Sequence, residues 1–268
     1  MAESTAMTRD RGLTRKWAIV TGAAGGIGAA VVRALHDEGA FVVALDRDEV
    51  GVTRLATDLS SARAPVYAST LDVRHATEVD ATIASIEATH GPIDFVVHSA
   101  GVLDVAAVTE TSDDAWSRIF AVNVQGVFNV SRAAAQRMMP RRRGAMVTIS
   151  SNAAGIPRGR MAAYAASKAA ATMFTRCLGL ELAEYGIRCN VVAPGSTRTP
   201  MQTAMWQAGS SEATVIAGSL DTYRPGIPLR KLAEPHEIAD AVLFLLSNDA
   251  SHITMADLYV DGGATLRA

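Results

Sequence analysis

Residues 17–28, WAIVTGAAGGIG, run from a short apolar segment through a glycine-rich turn into small, helix-compatible residues. A β-branched, apolar run of this length reads as a buried strand, and the residues after the glycines read as the first turn of a helix. Glycine lets the backbone approach a pyrophosphate closely, and the unpaired N–H groups of a helix N-terminus attract its charge. Gly22, Gly26 and Gly28 are not spaced as the GxGxxG form, and no lysine follows as in the GxxxxGK[ST] phosphate loop, which argues against ATP or GTP. Taken alone, the turn is also compatible with a purely structural role.

The next strand narrows the choice. FVVAL from Phe41 ends at Asp46, where a carboxylate can accept hydrogen bonds from adenosine ribose hydroxyls and repel the 2′-phosphate of NADP. Arg47 beside it works the other way, and the balance favours NAD. Ile27 sits inside the turn. Asp72 and Val73 follow the third apolar run and are placed to flank the adenine. HSAG at 98–101 supplies Ser99, Ala100 and Gly101 along the cofactor path.

The pattern repeats outward. Expected strands are WAIVT from Trp17, FVVAL from Phe41, VYAST from Val66, FVVHS from Phe95, AMVTIS from Ala145, CNVVA from Cys189 and DLYV from Asp257. Helical patterns lie near 27–38, 76–89, 112–138, 161–184 and 236–247. Near-continuous apolar strands alternating with helices predict an α/β fold of the doubly wound Rossmann type, a mostly parallel sheet covered on both faces. No compositional break divides it. The expected organisation is a flexible N-terminal segment over 1–15 and one catalytic domain over 16–268. Within that domain, 197–231 departs from the rhythm. It is rich in Met, Gly, Ser and Pro, and reads as a substrate lid carrying Met201, Gln202 and Trp206.

Composition removes other classes. The 268 residues carry 25 Lys and Arg against 27 Asp and Glu, so no global field gathers nucleic acid or anionic lipid. PRRRG at 140–144 reads as a solvated turn, and no basic stripe interleaved with aromatics suggests a nucleic-acid partner. Two cysteines, Cys177 and Cys189, make neither a disulfide scaffold nor a metal cluster and read as core residues; no metal is expected. The N-terminus does not read as a secretory signal, and no apolar run is long enough for a membrane span, so a cytoplasmic protein is expected.

The fifth strand leads to the chemistry. Ser151 follows it, and Tyr164 and Lys168 stand four residues apart on the next helix, on one face. In a parallel sheet, the carboxyl ends of the strands face the ligand crevice. A phenol with its ordinary pKa near 10 is a weak base at neutral pH, and an ammonium nearby favours the phenolate. Tyr164 would take the proton of a substrate hydroxyl, Ser151 would bond the same oxygen, and Lys168 would hold a ribose hydroxyl. Asn123, in FAVNVQG, is a candidate to hold a relay water, or else to satisfy local backbone.

TGAAGGIG, HSAG, FAVNVQG, Ser151, YAASK and PGSTRT together resemble the short-chain dehydrogenase/reductase family, from about Lys16 to Gly263. The resemblance implies a seven-stranded Rossmann-type sheet, often a homotetramer, and a tetrad of Asn123, Ser151, Tyr164 and Lys168. It also implies cofactor contacts after the sixth strand at Pro194, Gly195, Thr197 and Thr199. His98 and Ser99 depart from the commoner NNAG.

GIRCNVVAPGSTRTPMQTAMW, GIPLRKLAEPHEIADAVLFLLSNDASHIT and DLYVDGGATLRA are similar to the 2,3-dihydro-2,3-dihydroxybenzoate dehydrogenases, which make the catechol unit of siderophores. That similarity implies a small carboxylated cyclohexadiene substrate, oxidised at its C3 alcohol to an aromatic ring. Arg158 matches an arginine of that group and would receive the ring carboxylate through paired hydrogen bonds; Arg160 has no counterpart there. Asn152 stands where such enzymes can carry Asp. The alternative substrate is therefore trans-2,3-dihydro-3-hydroxyanthranilate, with an amine at C2. Another alcohol or ketone, or a non-catalytic nucleotide-binding regulator, are further readings, the last disfavoured by the presence of Tyr164 and Lys168.

Overall fold

The computed structural model describes residues 11–266 except 60, 62, 63, 209 and 210. Seven strands form one parallel sheet: β1 Trp17–Thr21, β2 Phe41–Asp46, β3 Val66–Thr70, β4 Ile93–His98, β5 Gly144–Ile149, β6 Ile187–Pro194 and, last in the chain, β9 Asp257–Val260. Their order is β3-β2-β1-β4-β5-β6-β9. The chain thus moves one way from β1 to β3, then crosses back to β4 and continues the other way. The reversal between β1 and β4 opens a crevice at their carboxyl ends, where ligands bind in sheets of this kind.

The helices are α1 Gly26–Asp37, α2 Glu49–Leu59, α3 Ala76–His90, α4 Asp113–Phe120, α5 Gly126–Met138, α6 Ala162–Leu182, α7 Pro200–Ala204, α8 Glu212–Ala217 and α9 Pro235–Leu246. Side chains alternate across the strands. On β1, Ala18 and Val20 face a core built with α1, α2 and α9, whereas Ile19 faces one built with α3, α5 and the end of α6. Both layers are dry: Leu35, Ile83, Met138 and Ile238 are fully buried. Each such side chain contributes roughly 1.5–3 kcal/mol by leaving water.

Several expectations need correction. α2 is absent from the sequence-based set; its apolar positions Val52, Leu55 and Ala56 are few, and polar residues fill the rest of its pattern. The expected helix over 112–138 is two helices joined by a π-helical turn, Ala121–Gln125. Cys189 is buried, but Cys177 is exposed on α6. Of the expected flexible segment 1–15, residues 1–10 lie outside the described residues, while 11–15 are held against the body. There Leu13 is buried, Arg11 pairs with Glu38 at 2.8 Å, and the Arg15 amide donates to the Gly39 carbonyl. The region 197–231 folds as α7, α8 and a minimal hairpin of β7 Gly218–Ser219 and β8 Arg224–Pro225.

Candidate active site

The β1–α1 turn closes only because its glycines lack side chains. Gly22 has φ +67°, and a Cβ there would stand 2.5 Å from the Ala100 amide nitrogen. A Cβ on Gly28 would fall 2.1 Å from the Gly22 carbonyl oxygen. The turn is thereby pressed against the β4 end, and its N–H groups and the start of α1 border a cavity of about 1100 Å³. Gly26 and Ile27 line it from the turn, and Asp46 and Arg47 from the end of β2. The Asp46 carboxylate is fixed by the amides of Ala24 at 2.9 Å and Asp48 at 3.0 Å. Asp72 and Val73 also line the cavity. Asp72 is clasped by the Arg74 guanidinium, which holds its carboxyl below the usual carboxylate range.

From β4, Ser99, Ala100 and Gly101 reach the same space. His98 does not. It is buried, bonds Ser131 at 3.0 Å, and is drawn by desolvation to a pKa of about 4, so its ring is neutral. Across the cavity Pro194, Gly195, Thr197 and Thr199 line the end of β6 and the start of α7. The Thr199 hydroxyl caps α7 by accepting from the Gln202 amide at 3.3 Å.

Helix α6 is hung from β5 by buried polar pairs. The Thr175 hydroxyl donates to Thr148 Oγ1 at 2.8 Å, the hydroxyls of Ser150 and Thr172 share a bond of 2.6 Å, and Lys168 Nζ donates to the Ile149 carbonyl at 2.7 Å. These bonds fix the rotation of α6 so that Tyr164 and Lys168 line the cavity together with Ser151. The electrostatics differ from expectation. Burial pushes the Tyr164 phenol up, opposed by a hydrogen bond with Ser151. Burial also pulls Lys168 down to about 8, and its ammonium stands 5.9 Å from the Tyr164 ring centroid. Desolvation, not the lysine's field, dominates both groups.

Asn123 lies behind the cavity wall rather than on it. Its side chain accepts from the Val102 amide at 2.9 Å and donates to the Val102 carbonyl at 3.0 Å and to Ser167 Oγ at 2.9 Å. Ser167 in turn donates to the Tyr164 carbonyl at 2.7 Å. One amide therefore ties the loop after β4 to the helix that carries the phenol.

Two arginines that feel each other's charge border the cavity. Arg158, Met201, Gln202 and Trp206 line it as expected, and so does Arg224, which no sequence motif singled out. Arg158 donates to Asn152 Oδ1 at 3.1 Å, and Asn152 donates to the buried Asp261 at 3.3 Å. The Asn152 amide is thus committed to bracing Arg158. Arg160 instead pairs with Glu110 at 3.1 Å in an exposed position. Ser196 and Asp261 were also not foreseen, because each gains its place only through contacts distant in sequence.

A doubly wound sheet with its crevice lined by this turn, this serine and this tyrosine–lysine pair defines a nicotinamide-dependent oxidoreductase. The chain belongs to the short-chain dehydrogenase/reductase family. A family model described as enoyl-(acyl carrier protein) reductase matches residues 22–265. The chain is 52% identical over 256 residues to 2,3-dihydro-2,3-dihydroxybenzoate dehydrogenase of Bacillus subtilis (strain 168), covering 96% of this chain and 98% of that protein. It is 43% identical to the vibriobactin-specific 2,3-dihydro-2,3-dihydroxybenzoate dehydrogenase of Vibrio cholerae serotype O1 (strain ATCC 39315 / El Tor Inaba N16961), covering 96% and 99%. Among solved structures, a short chain dehydrogenase/reductase family protein superposes with a TM-score of 0.83 at 33% identity, covering 95% of this chain and 99% of the other.

Proposed function

We propose that the protein oxidises the C3 alcohol of trans-2,3-dihydro-2,3-dihydroxybenzoate with NAD, giving 2,3-dihydroxybenzoate. The observation that carries this reading is one cavity lined both by Ser151, Tyr164 and Lys168 and by a half-buried arginine, Arg158. The similarity to the Bacillus subtilis enzyme, which extends through the lid, supports the same substrate. The glycine turn fits a dinucleotide, since a Cβ at Gly22 or Gly28 would collide with backbone, and the start of α1 at Gly26, Ile27 and Gly28 lines the cavity. Asp46, with both oxygens already oriented, would accept the ribose hydroxyls and disfavour a 2′-phosphate.

When bound, NAD supplies the hydride acceptor. Tyr164, reacting as the phenolate, takes the proton from the C3 hydroxyl as the C3–H bond breaks, and Ser151 holds that oxygen. Lys168 receives the ribose hydroxyls and keeps a cation beside the phenol. Arg158 fixes the carboxylate and with it the face of the ring that C3 presents. The dienone formed tautomerises to an aromatic ring, which makes oxidation the effective direction. Met201, Gln202 and Trp206 cover the ring from the lid, a cytoplasmic location belongs to the same reading, and the assembly is a homotetramer, with the dimer as alternative.

Purified protein with NAD is given the trans-dihydrodiol acid or its 2-amino counterpart, and NADH absorbance yields kcat/KM for each. Preference for the diol is expected. Preference for the amino compound would replace it with 3-hydroxyanthranilate formation, and oxidation of neither would overturn both.

A further inference from the structure

We propose that Arg224, on the lid hairpin, is a second carboxylate-binding residue that closes on the substrate's ring carboxylate opposite Arg158. This assignment rests on the reading of the site as a dehydrogenase of a carboxylated ring.

Arg224 is placed by its hairpin. Thr222, Tyr223, Arg224 and Pro225 all border the cavity, but Arg224 is half-buried where Tyr223 is 95% exposed. Strand β8 pairs Arg224 with Ser219 and Pro225 with Gly218. Gly218, at φ +83°, allows this close pairing, since a Cβ there would stand 2.5 Å from the Arg224 carbonyl oxygen. The guanidinium is then aimed by one bond, from Nη2 to Ser196 Oγ at 2.9 Å.

Among the described residues, no Asp or Glu lies within ion-pair distance of Arg158 or Arg224, whereas Arg74, Arg141, Arg160 and Arg198 all have one. A guanidinium offers five N–H donors. Arg158 spends one on Asn152 and Arg224 one on Ser196, leaving most of both forks for an occupant of the cavity. Burial holds Arg224 below the ordinary arginine range. Burial and the charge of Arg224 lower Arg158 to about 10, partly offset by Asp261.

The charge count selects the ligand. Asp261 is the nearby anion, and its oxygens are already taken by the amides of Gly263 and Thr265, both at 3.0 Å, and by Asn152. Two cations against one committed carboxylate leave a single positive excess, which one carboxylate neutralises. Two planar forks facing one carboxylate also satisfy its four lone-pair sites. Since Arg158 sits on the β5–α6 loop and Arg224 on the lid, the ligand's anion links these two parts of the protein.

The test needs no turnover. NAD-saturated wild-type protein and the variants Arg224→Gln, Arg224→Lys and Arg158→Gln are titrated calorimetrically with 2,3-dihydroxybenzoate and with catechol, which lacks the carboxylate. Arg224→Gln is expected to weaken 2,3-dihydroxybenzoate binding by about tenfold or more, leave catechol unchanged, and be partly rescued by Arg224→Lys. Its affinity for NAD should equal that of the wild type. Equal loss for both ligands, loss of NAD affinity in place of carboxylate affinity, no loss at all, or a wild-type protein with no preference for the carboxylated ligand would each overturn the assignment. Failure of the dehydrogenase reading shows separately, as absence of NADH formation from the diol.

Discussion

Lys168 shows how a reactive group is bought with stability. It is buried beside Tyr164, with a pKa lowered from 10.5 to about 8. Below pH 8 both folded and unfolded chains carry the proton, and the folded state bears the full cost of a buried ammonium, roughly 3 kcal/mol. Between pH 8 and 10.5 the unfolded chain alone stays charged, so this cost is progressively relieved as pH rises. Lys168→Met is therefore expected to abolish dehydrogenase activity yet raise the unfolding temperature by a few degrees below pH 8, with the gain shrinking toward pH 10.5. A melting series across that range checks it; a variant less stable at every pH would mean that the bond from Lys168 to Ile149 outweighs the burial cost. The spacing of Tyr164 and Lys168 was legible because a helix fixes which residues share a face. The sign of the Tyr164 shift was not, because desolvation depends on everything packed around the phenol.

At the scale of elements, the π turn at Ala121–Gln125 matters most. One residue more per turn than an α-helix rotates Asn123 inward, and such insertions recur at functional sites. The adjoining Gly126 permits close approach to α3's leading loop, where a Cβ would stand 2.5 Å from Val73 Cγ2. The inward amide then holds both backbone groups of Val102. Asn123→Ala would leave these unpaired and untie the loop from Ser167 and α6. We expect a loss of about 1–3 kcal/mol in urea unfolding together with a fall in kcat/KM. Unchanged stability would show that other contacts hold the loop. The sequence marked Asn123 as a polar residue in an apolar helix, but its partners lie 21 and 44 positions away. Local pattern cannot supply them.

For the whole molecule, the parallel strands place the site segments together at their carboxyl ends, and helix α6 serves two faces. Its inner face carries Tyr164 and Lys168. On its outer face Met173, Cys177 and Leu180 recur at helical spacing and are exposed, Met173 and Leu180 at 54% and 69%. An apolar stripe on a helix that is otherwise packed supports burial between subunits in the proposed homotetramer. Leu180→Glu is expected to shift sedimentation from the assembled species to a smaller one; wild-type protein sedimenting as a monomer would overturn the assembly. The assignment of Cys177 to the core failed because an apolar neighbourhood in sequence does not say whether a helix face meets the sheet or stays exposed.

What the sequence determined by itself was the part written in local spacing and alternation. Apolar runs of strand length located all seven strands of the sheet, the glycines of 21–28 located the nucleotide turn, and a four-residue interval located the tyrosine and lysine. Each depends on steric and periodic rules that act within a few residues. Tertiary structure alone decided the rest: that Asn123 braces a loop rather than lining the cavity, that Asn152 is spent on Arg158 and Asp261, and that Arg224 borders the cavity from the β7–β8 hairpin. These are relations between side chains as far as 109 positions apart, fixed by how buried polar groups must find partners once the core has closed.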